Sequence, residues 1–133
     1  MPTSIFVNLP VRDLKVSKAF FTRLGYSFDP QFTTADAACL VISDTIYAML
    51  HRPESFARFT QKDVADARNA IEVILALSAD SREAVDELAD RALASGGSHA
   101  NDPMDYGNMY GRSFHDPDGH MWEVVYLEPD DVE

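Results

Sequence analysis

One carboxylate stands inside an apolar stretch in the last part of the chain. Glu123 lies between Trp122 and Val124, and the surrounding residues predict a β-strand. A carboxylate in such a strand must face a partner, a cavity or solvent, because an unpaired buried charge is costly. In a cavity it could move a proton. Arg112 could pair with Glu123 or hold the carboxylate of a ligand. A solvated glutamate on an edge strand is the third alternative.

Other motifs that carry chemistry are missing from the sequence. It has no Gly-x-Gly-x-x-Gly, P-loop, Cys-x-x-Cys or Gly-x-Ser-x-Gly motif and no basic stripe. Cys39 is the only cysteine, so no intrachain disulfide can form, and a reducing compartment is favoured. Its surroundings favour a core residue over a nucleophile. The first residues lack a basic region followed by an apolar stretch, so we expect no signal peptide and a cytoplasmic location.

Composition and charge narrow the class of protein. The chain has 133 residues, of which 46% are hydrophobic and 25% are charged, as is typical of a globular domain. Its net charge of −11 disfavours nucleic acid and anionic membranes as partners. No apolar run approaches the ~18 residues that a membrane span requires.

Two strand-and-helix patterns follow one another along the chain. Apolar residues alternate from Ile5 to Val11 and predict a strand, and Pro10 predicts that this strand lies at a sheet edge or pairs on one side only at that position. Asp13 is the predicted N-cap of a helix that Gly25 ends. The other predicted strands are Tyr26–Phe28, Ala37–Ile42, Ile46–His51, Ile71–Leu77, Ser98–Ala100, Tyr110–His115 and His120–Leu127, and a second helix runs from a cap at Asp80 or Ser81 to Gly96.

The repetition predicts an α+β fold of two βαβββ modules within one domain, residues 1–133. Module one covers about 5–52 and module two about 70–127, with a polar linker at 53–69 that could include a short helix. Each module offers an open sheet with a helix on one face only. We expect the free faces to curl toward each other and enclose a pocket.

Two segments carry a resemblance to a known family. Phe6–Gly25 resembles the opening of the vicinal oxygen chelate superfamily, which includes glyoxalases, extradiol dioxygenases and bleomycin-resistance proteins. Phe114–Val124, with its Asp-Pro-Asp-Gly turn, resembles the closing hairpin. The resemblance extends from about residue 5 to residue 127, and within the family it is greatest to small bacterial predicted lactoylglutathione lyases. It implies paired βαβββ modules in a curved mixed sheet and a homodimer.

The resemblance also implies a divalent metal such as Zn, Ni, Mn or Fe. In the family, the metal is held by first-strand and fourth-strand residues and stabilises negative charge on two neighbouring substrate oxygens. Glu123 matches the last-strand ligand and is the candidate catalytic residue. The other three positions fall on Phe6, on Ala48 or Met49, and on Val73 or Ile74, none of which offers a metal donor. His51 and Glu72 lie near these positions and are further candidate ligands.

The remaining candidates would line a binding cup. Aromatic residues supply contact area and polar groups supply orientation. The segment Asp105–Tyr110 could close over this cup or could be a plain connection. The candidate substrate-binding residues are Phe6, Asn8, Tyr47, Met49, Tyr110 and Arg112.

Two functions therefore stay open at this point. The first is a metal-dependent lyase, isomerase or dioxygenase of the glyoxalase type that uses Glu123. The second is a metal-free protein that sequesters a small molecule, as the resistance branch of the family does. Both predict a small-molecule partner.

Overall fold

The chain forms two units in which strands and helices follow the same order. The structure is a computed structural model that describes residues 2–129. The units are Met1–Asp66 and Ala67–Glu133, so their boundary falls inside the predicted linker. No helix in the described part of the chain is long and apolar enough to cross a membrane.

The first unit contains a mixed four-stranded sheet in the order β1-β4-β3-β2. Strand β1 runs parallel to β4, and the other neighbours are antiparallel. The edge position of β1 confirms the prediction from Pro10, whose missing N–H suits an edge strand. The elements are β1 Ile5–Pro10, α1 Leu14–Arg23, β2 Ser27–Asp29, a 3-10 turn at Pro30–Phe32, β3 Ala37–Val41, β4 Ile46–His51 and α2 Pro53–Ala57.

Helix α1 begins and ends where the sequence predicts. The Asp13 carboxylate accepts a hydrogen bond from the Lys15 amide at 2.9 Å, which satisfies an otherwise unpaired N–H of the first turn. Gly25 follows the helix with φ +101°, a conformation that glycine adopts without strain. Phe20 and Phe21 are buried and anchor the helix to its sheet.

The second unit repeats this plan with a five-stranded sheet. Its order is β5-β9-β8-β6, and β7 pairs with β8. The first and last strands, β5 and β9, are again parallel neighbours. Ser81, not Asp80, caps its long helix. The elements are β5 Ile74–Ser78, α3 Arg82–Ala94, β6 Ser98–His99, β7 Met104–Asp105, β8 Met109–His115 and β9 Met121–Leu127. The two mixed sheets confirm the predicted α+β class.

The turn between β8 and β9 is held by one buried side chain. The Gly119 amide donates to the Asp116 carbonyl at 2.9 Å, as predicted for a turn with glycine in its fourth position. The Asp116 carboxylate accepts from the amides of Asp118 and His120 at 2.9 and 3.1 Å and from Trp122 Nε1 at 3.0 Å. This single carboxylate therefore fixes the turn and the indole together.

The prediction was wrong at two places in the second unit. Strand β5 begins at Ile74 instead of Ile71, because its partner β9 begins at Met121, which lies opposite Ile74. Glu72 and Val73 therefore have no ladder partner. In addition, strand β7 pairs with β8 in the stretch between Ala100 and Tyr110, where the sequence predicted no strand. The first error concerns pairing between the distant strands β5 and β9, which alternation along the chain does not encode.

Candidate functional site

Five of the predicted site residues share one face of the first sheet. The register places Phe6 opposite Tyr47 and Asn8 opposite Met49, and side chains two residues apart along a strand share a face. His51 follows Met49 at that spacing. Helix α1 packs on the sheet through strands β2, β3 and β4. Along β1 and β4, the five side chains alternate with side chains that point to the opposite face of the sheet. We call this set, Phe6, Asn8, Tyr47, Met49 and His51, the β1–β4 face.

Phe6 and Tyr47 form a flat aromatic surface at one end of the β1–β4 face. Their ring centroids lie 4.7 Å apart and the ring planes differ by 9°, which is a stacked pair. The Tyr47 hydroxyl donates to the Asp44 carbonyl at 2.9 Å, so its ring is held in place. Phe6 is 53% exposed to solvent. The pair thus presents an exposed apolar surface on which a further planar group could stack.

A polar network occupies the other end of the β1–β4 face. His51 Nε2 lies 2.7 Å from Asn8 Oδ1, and His51 Nδ1 lies 3.1 Å from Ser55 Oγ. The Phe56 and Phe59 rings lie 6.1 and 5.3 Å from the imidazole. His51 is only 5% exposed, and its burial lowers the pKa of the imidazole. Both ring nitrogens already have hydrogen-bond partners, so His51 offers no unoccupied lone pair to a metal.

Ser55 is the residue of this network that sequence reasoning missed. It lies on α2, which starts at Pro53 directly after β4. Proline is favoured in the first turn of a helix, and His51 and Ser55 are four residues apart. These two signals could have indicated the contact between His51 and Ser55. The sequence analysis predicted only a polar linker that could include a short helix.

Glu123 lies on the face of the second sheet that points away from α3. It is half-buried on β9 and pairs in register with Ala76 and Ser113. Its carboxylate makes no hydrogen bond or ion pair with any residue that the structure describes. Glu72, the other predicted acidic ligand, is exposed in the segment before β5. The two carboxylates therefore do not meet in a common site on the second sheet.

Tyr110 and Arg112 point to the opposite face of that sheet, toward helix α3. The Tyr110 hydroxyl donates to the Asp86 carboxylate at 2.6 Å. Arg112 Nη1 contacts the carboxylates of Asp86 and Asp90 at 3.1 and 2.8 Å. The hydrogen bond from Tyr110 and then the contact with Arg112 lower the pKa of Asp86. The pair with Glu123, one of the alternatives for Arg112, does not form, because Arg112 lies opposite Val124 and strand alternation puts Glu123 on the other face.

The segment Asp105–Tyr110 is bonded to the start of α3. The sequence had left open whether this segment closes over a cup or is a plain connection. Arg82 donates to both oxygens of Asp105 at 2.9 and 3.1 Å and to the Gly107 carbonyl at 2.8 Å. The same guanidinium lies 5.1 Å from the centre of the Tyr110 ring, close enough for a cation–π contact. These contacts fit a plain connection better than a lid.

The divalent metal that the family implies does not fit these residues. Within residues 2–129, no group of three or more His, Cys, Asp or Glu side chains could hold a metal ion. Three of the four family ligand positions carry apolar side chains, including Phe6, whose ring is engaged with Tyr47. Catalytic zinc sites use three protein ligands with nitrogen, sulfur or oxygen donors. The β1–β4 face instead offers hydrogen-bonding and stacking groups among the residues that the structure describes.

Together these features define a class of protein in which a βαβββ unit with one covering helix occurs twice in a chain. A family model for the Glyoxalase/Bleomycin resistance protein/Dioxygenase superfamily matches residues 5–124. The chain belongs to this superfamily, which confirms the resemblance seen in the opening segment and the closing hairpin. No curated protein sequence matches the chain.

Solved structures agree with the fold. A hypothetical protein from S. aureus is 25% identical with a TM-score of 0.80, over 96% of this chain and 95% of that one. A bleomycin resistance determinant encoded on the transposon Tn5 is 20% identical with a TM-score of 0.67, over 96% and 100%. Lactoylglutathione lyase from Agrobacterium tumefaciens is 20% identical with a TM-score of 0.70, over 95% of each chain. The last two likenesses show the fold alone.

Proposed function

We propose that this protein binds a small planar molecule on the β1–β4 face without a metal ion. The observation that carries the proposal is the stacked Phe6–Tyr47 pair, of which Phe6 is 53% exposed. An aromatic ring that extends this stack gains contact area and a favourable ring–ring geometry. Polar groups close to an apolar surface are what a small-molecule site uses to orient its ligand.

The chemistry of Phe6 also distinguishes this function from a metal-dependent one. Phe6 occupies the first-strand position that supplies a metal ligand in the family, and a phenyl ring has no donor atom for zinc or nickel. His51 is buried and hydrogen-bonded through both nitrogens, and its burial lowers the pKa of the imidazole. The residues of the β1–β4 face therefore suit sequestration of an organic ligand, as in the resistance branch of the family.

The test uses indane, a flat hydrocarbon with no hydrogen-bonding group. We expect indane to shift the amide NMR signals of β1 and β4 in the labelled protein. Phe6→Ala should weaken its binding about 2- to 10-fold, because loss of a stacked pair costs about 0.5–1.5 kcal/mol. Phe32→Ala is the matched control, since Phe32 is 56% exposed in the same unit but lies on the 3-10 turn. Equal loss in both variants, or shifts confined to other strands, would contradict the proposal.

Glu123 supports a second candidate function. Its half-buried carboxylate has no hydrogen-bond partner among the described residues, and such a group is available to bind a metal or transfer a proton. A glyoxalase-type lyase, isomerase or dioxygenase would then use Glu123. Calorimetric titration with Zn²⁺ and Ni²⁺ separates the two functions. Saturable binding near one metal per site that Glu123→Gln abolishes would favour the enzyme, and its absence would favour the metal-free site.

We also propose a homodimer in the cytoplasm. Strands β1 and β5 each form an edge of their sheet, and Ile5 and Ile74, one on each strand, are 54% and 52% exposed. Exposed apolar edge strands favour pairing with another chain. Cys39 is buried and unpaired, which suits a reducing compartment. Light scattering on the purified protein gives the mass that tests the dimer.

A further inference from the structure

We infer that Asn8 donates a hydrogen bond to a carbonyl oxygen of the ligand, and that His51 and Ser55 position Asn8 for this role. The inference rests on the proposed function, because it concerns a ligand on the β1–β4 face. It adds the chemical class of that ligand, a flat aromatic ketone. It also assigns to His51 a positioning role in place of the metal-binding role that the sequence suggested.

The orientation of the Asn8 amide follows from a backbone carbonyl. Asn8 Nδ2 lies 3.2 Å from the carbonyl oxygen of Phe6. A carbonyl oxygen can only accept a hydrogen bond, so the end of the amide that faces it must be the NH₂ group. The oxygen Oδ1 therefore faces His51, at 2.7 Å from Nε2.

The tautomer of His51 then follows from Asn8. Because Oδ1 can only accept, His51 Nε2 must carry the hydrogen and donate it. In a neutral imidazole, which the burial of His51 favours, the other nitrogen, Nδ1, then accepts from the Ser55 hydroxyl at 3.1 Å. His51 and Ser55 are 5% and 8% exposed, so water competes little for these bonds. The two buried groups thus hold the exposed amide in one of its two orientations.

The fixed amide leaves one donor directed to solvent. Asn8 Nδ2 has two hydrogens, and only the one that faces Phe6 has a partner among the residues that the structure describes. Asn8 lies two residues from Phe6 on the same face of β1, so this free N–H borders the stacked pair. A flat ring on the stack can reach it with an oxygen at its edge.

The test compares 1-indanone with indane, since the two differ only in a ring carbonyl. We expect the unchanged protein to bind 1-indanone roughly 3- to 10-fold more tightly, as one net hydrogen bond would give. Asn8→Asp keeps an acceptor for His51 but removes the N–H donor, so it should abolish the preference for 1-indanone, measured as the ratio of the two Kd values within this variant. An undiminished preference in Asn8→Asp would overturn the inference.

Two variants of His51 separate positioning from a structural role. His51→Gln retains an N–H that can donate to Asn8 Oδ1 and should preserve the preference, while His51→Leu frees the amide to rotate and should reduce it. An equal fall in affinity for both ligands in His51→Leu would make His51 merely structural and contradict its positioning role. If Asn8→Asp retains the preference for 1-indanone while Phe6→Ala still weakens indane binding, this inference alone is overturned. If Phe6→Ala has no effect on indane, the proposed function itself fails.

Discussion

Replacing Asp116 by asparagine tests how the closing hairpin is held. The amide would keep one oxygen for the backbone N–H groups of Asp118 and His120, which now bond Oδ1 at 2.9 and 3.1 Å. Its NH₂ would then face the Trp122 Nε1–H, which now donates to Oδ2 at 3.0 Å. Two donors would oppose each other in a region where Asp116 and Trp122 are 5% and 2% exposed. A buried donor without an acceptor costs about 1–3 kcal/mol.

We therefore expect Asp116→Asn to lower the free energy of unfolding by about 1–3 kcal/mol and Tm by roughly 3–4 °C for each kcal/mol. Urea and thermal unfolding followed by far-UV circular dichroism measure both values. Trp122→Phe supplies the control, because it removes the Nε1–H while keeping an aromatic ring. In that background, Asp116→Asn should cost clearly less. Equal costs in the two backgrounds would refute the assignment of the loss to the Asp116–Trp122 bond.

Three further predictions follow from the same structure. Gly119→Ala should lower the free energy of unfolding in urea by several kcal/mol more than Gly107→Ala does. Both glycines have a positive φ, but a Cβ at Gly119 would lie 2.9 Å from backbone atoms, whereas a Cβ at Gly107 would meet open space. Burial lowers the pKa of His51, so as the pH falls the unfolded chain binds a proton at His51 before the folded chain does. The contribution of His51 to stability is therefore present above about pH 6.5 and is lost as the pH falls below that value. We expect the decrease in Tm between pH 8 and pH 5 to be smaller in His51→Gln than in the unchanged protein. Tyr110→Phe should raise the pKa of Asp86 in an NMR titration and cost about 0.5–1.5 kcal/mol at pH 7, and an unchanged pKa would contradict the role of the hydroxyl.

Features that depend on neighbouring residues were predictable from the sequence. Alternation defined β4 to the residue, and Asp13 and Gly25 marked the limits of α1 because a cap needs only local geometry. The turn before Gly119 was predictable for the same reason. The shared face of Phe6, Asn8, Tyr47 and Met49 needed only strand alternation and the family's topology, so the residue types of the β1–β4 face could also be predicted.

Contacts between distant segments were decided by the tertiary structure alone. His51 and Asn8 are 43 positions apart in the sequence, and only the register of β1 against β4 brings their side chains to 2.7 Å. Arg112 and Glu123 lie on opposite faces because the register of β8 against β9 pairs Arg112 with Val124, and the placement of α3 then gives Arg112 its carboxylate partners. By itself the sequence determined which residue types lie on each strand face, because side chains alternate with period two. Which partner each face meets depends on strand register and helix placement, and those are set by the packing of the whole unit.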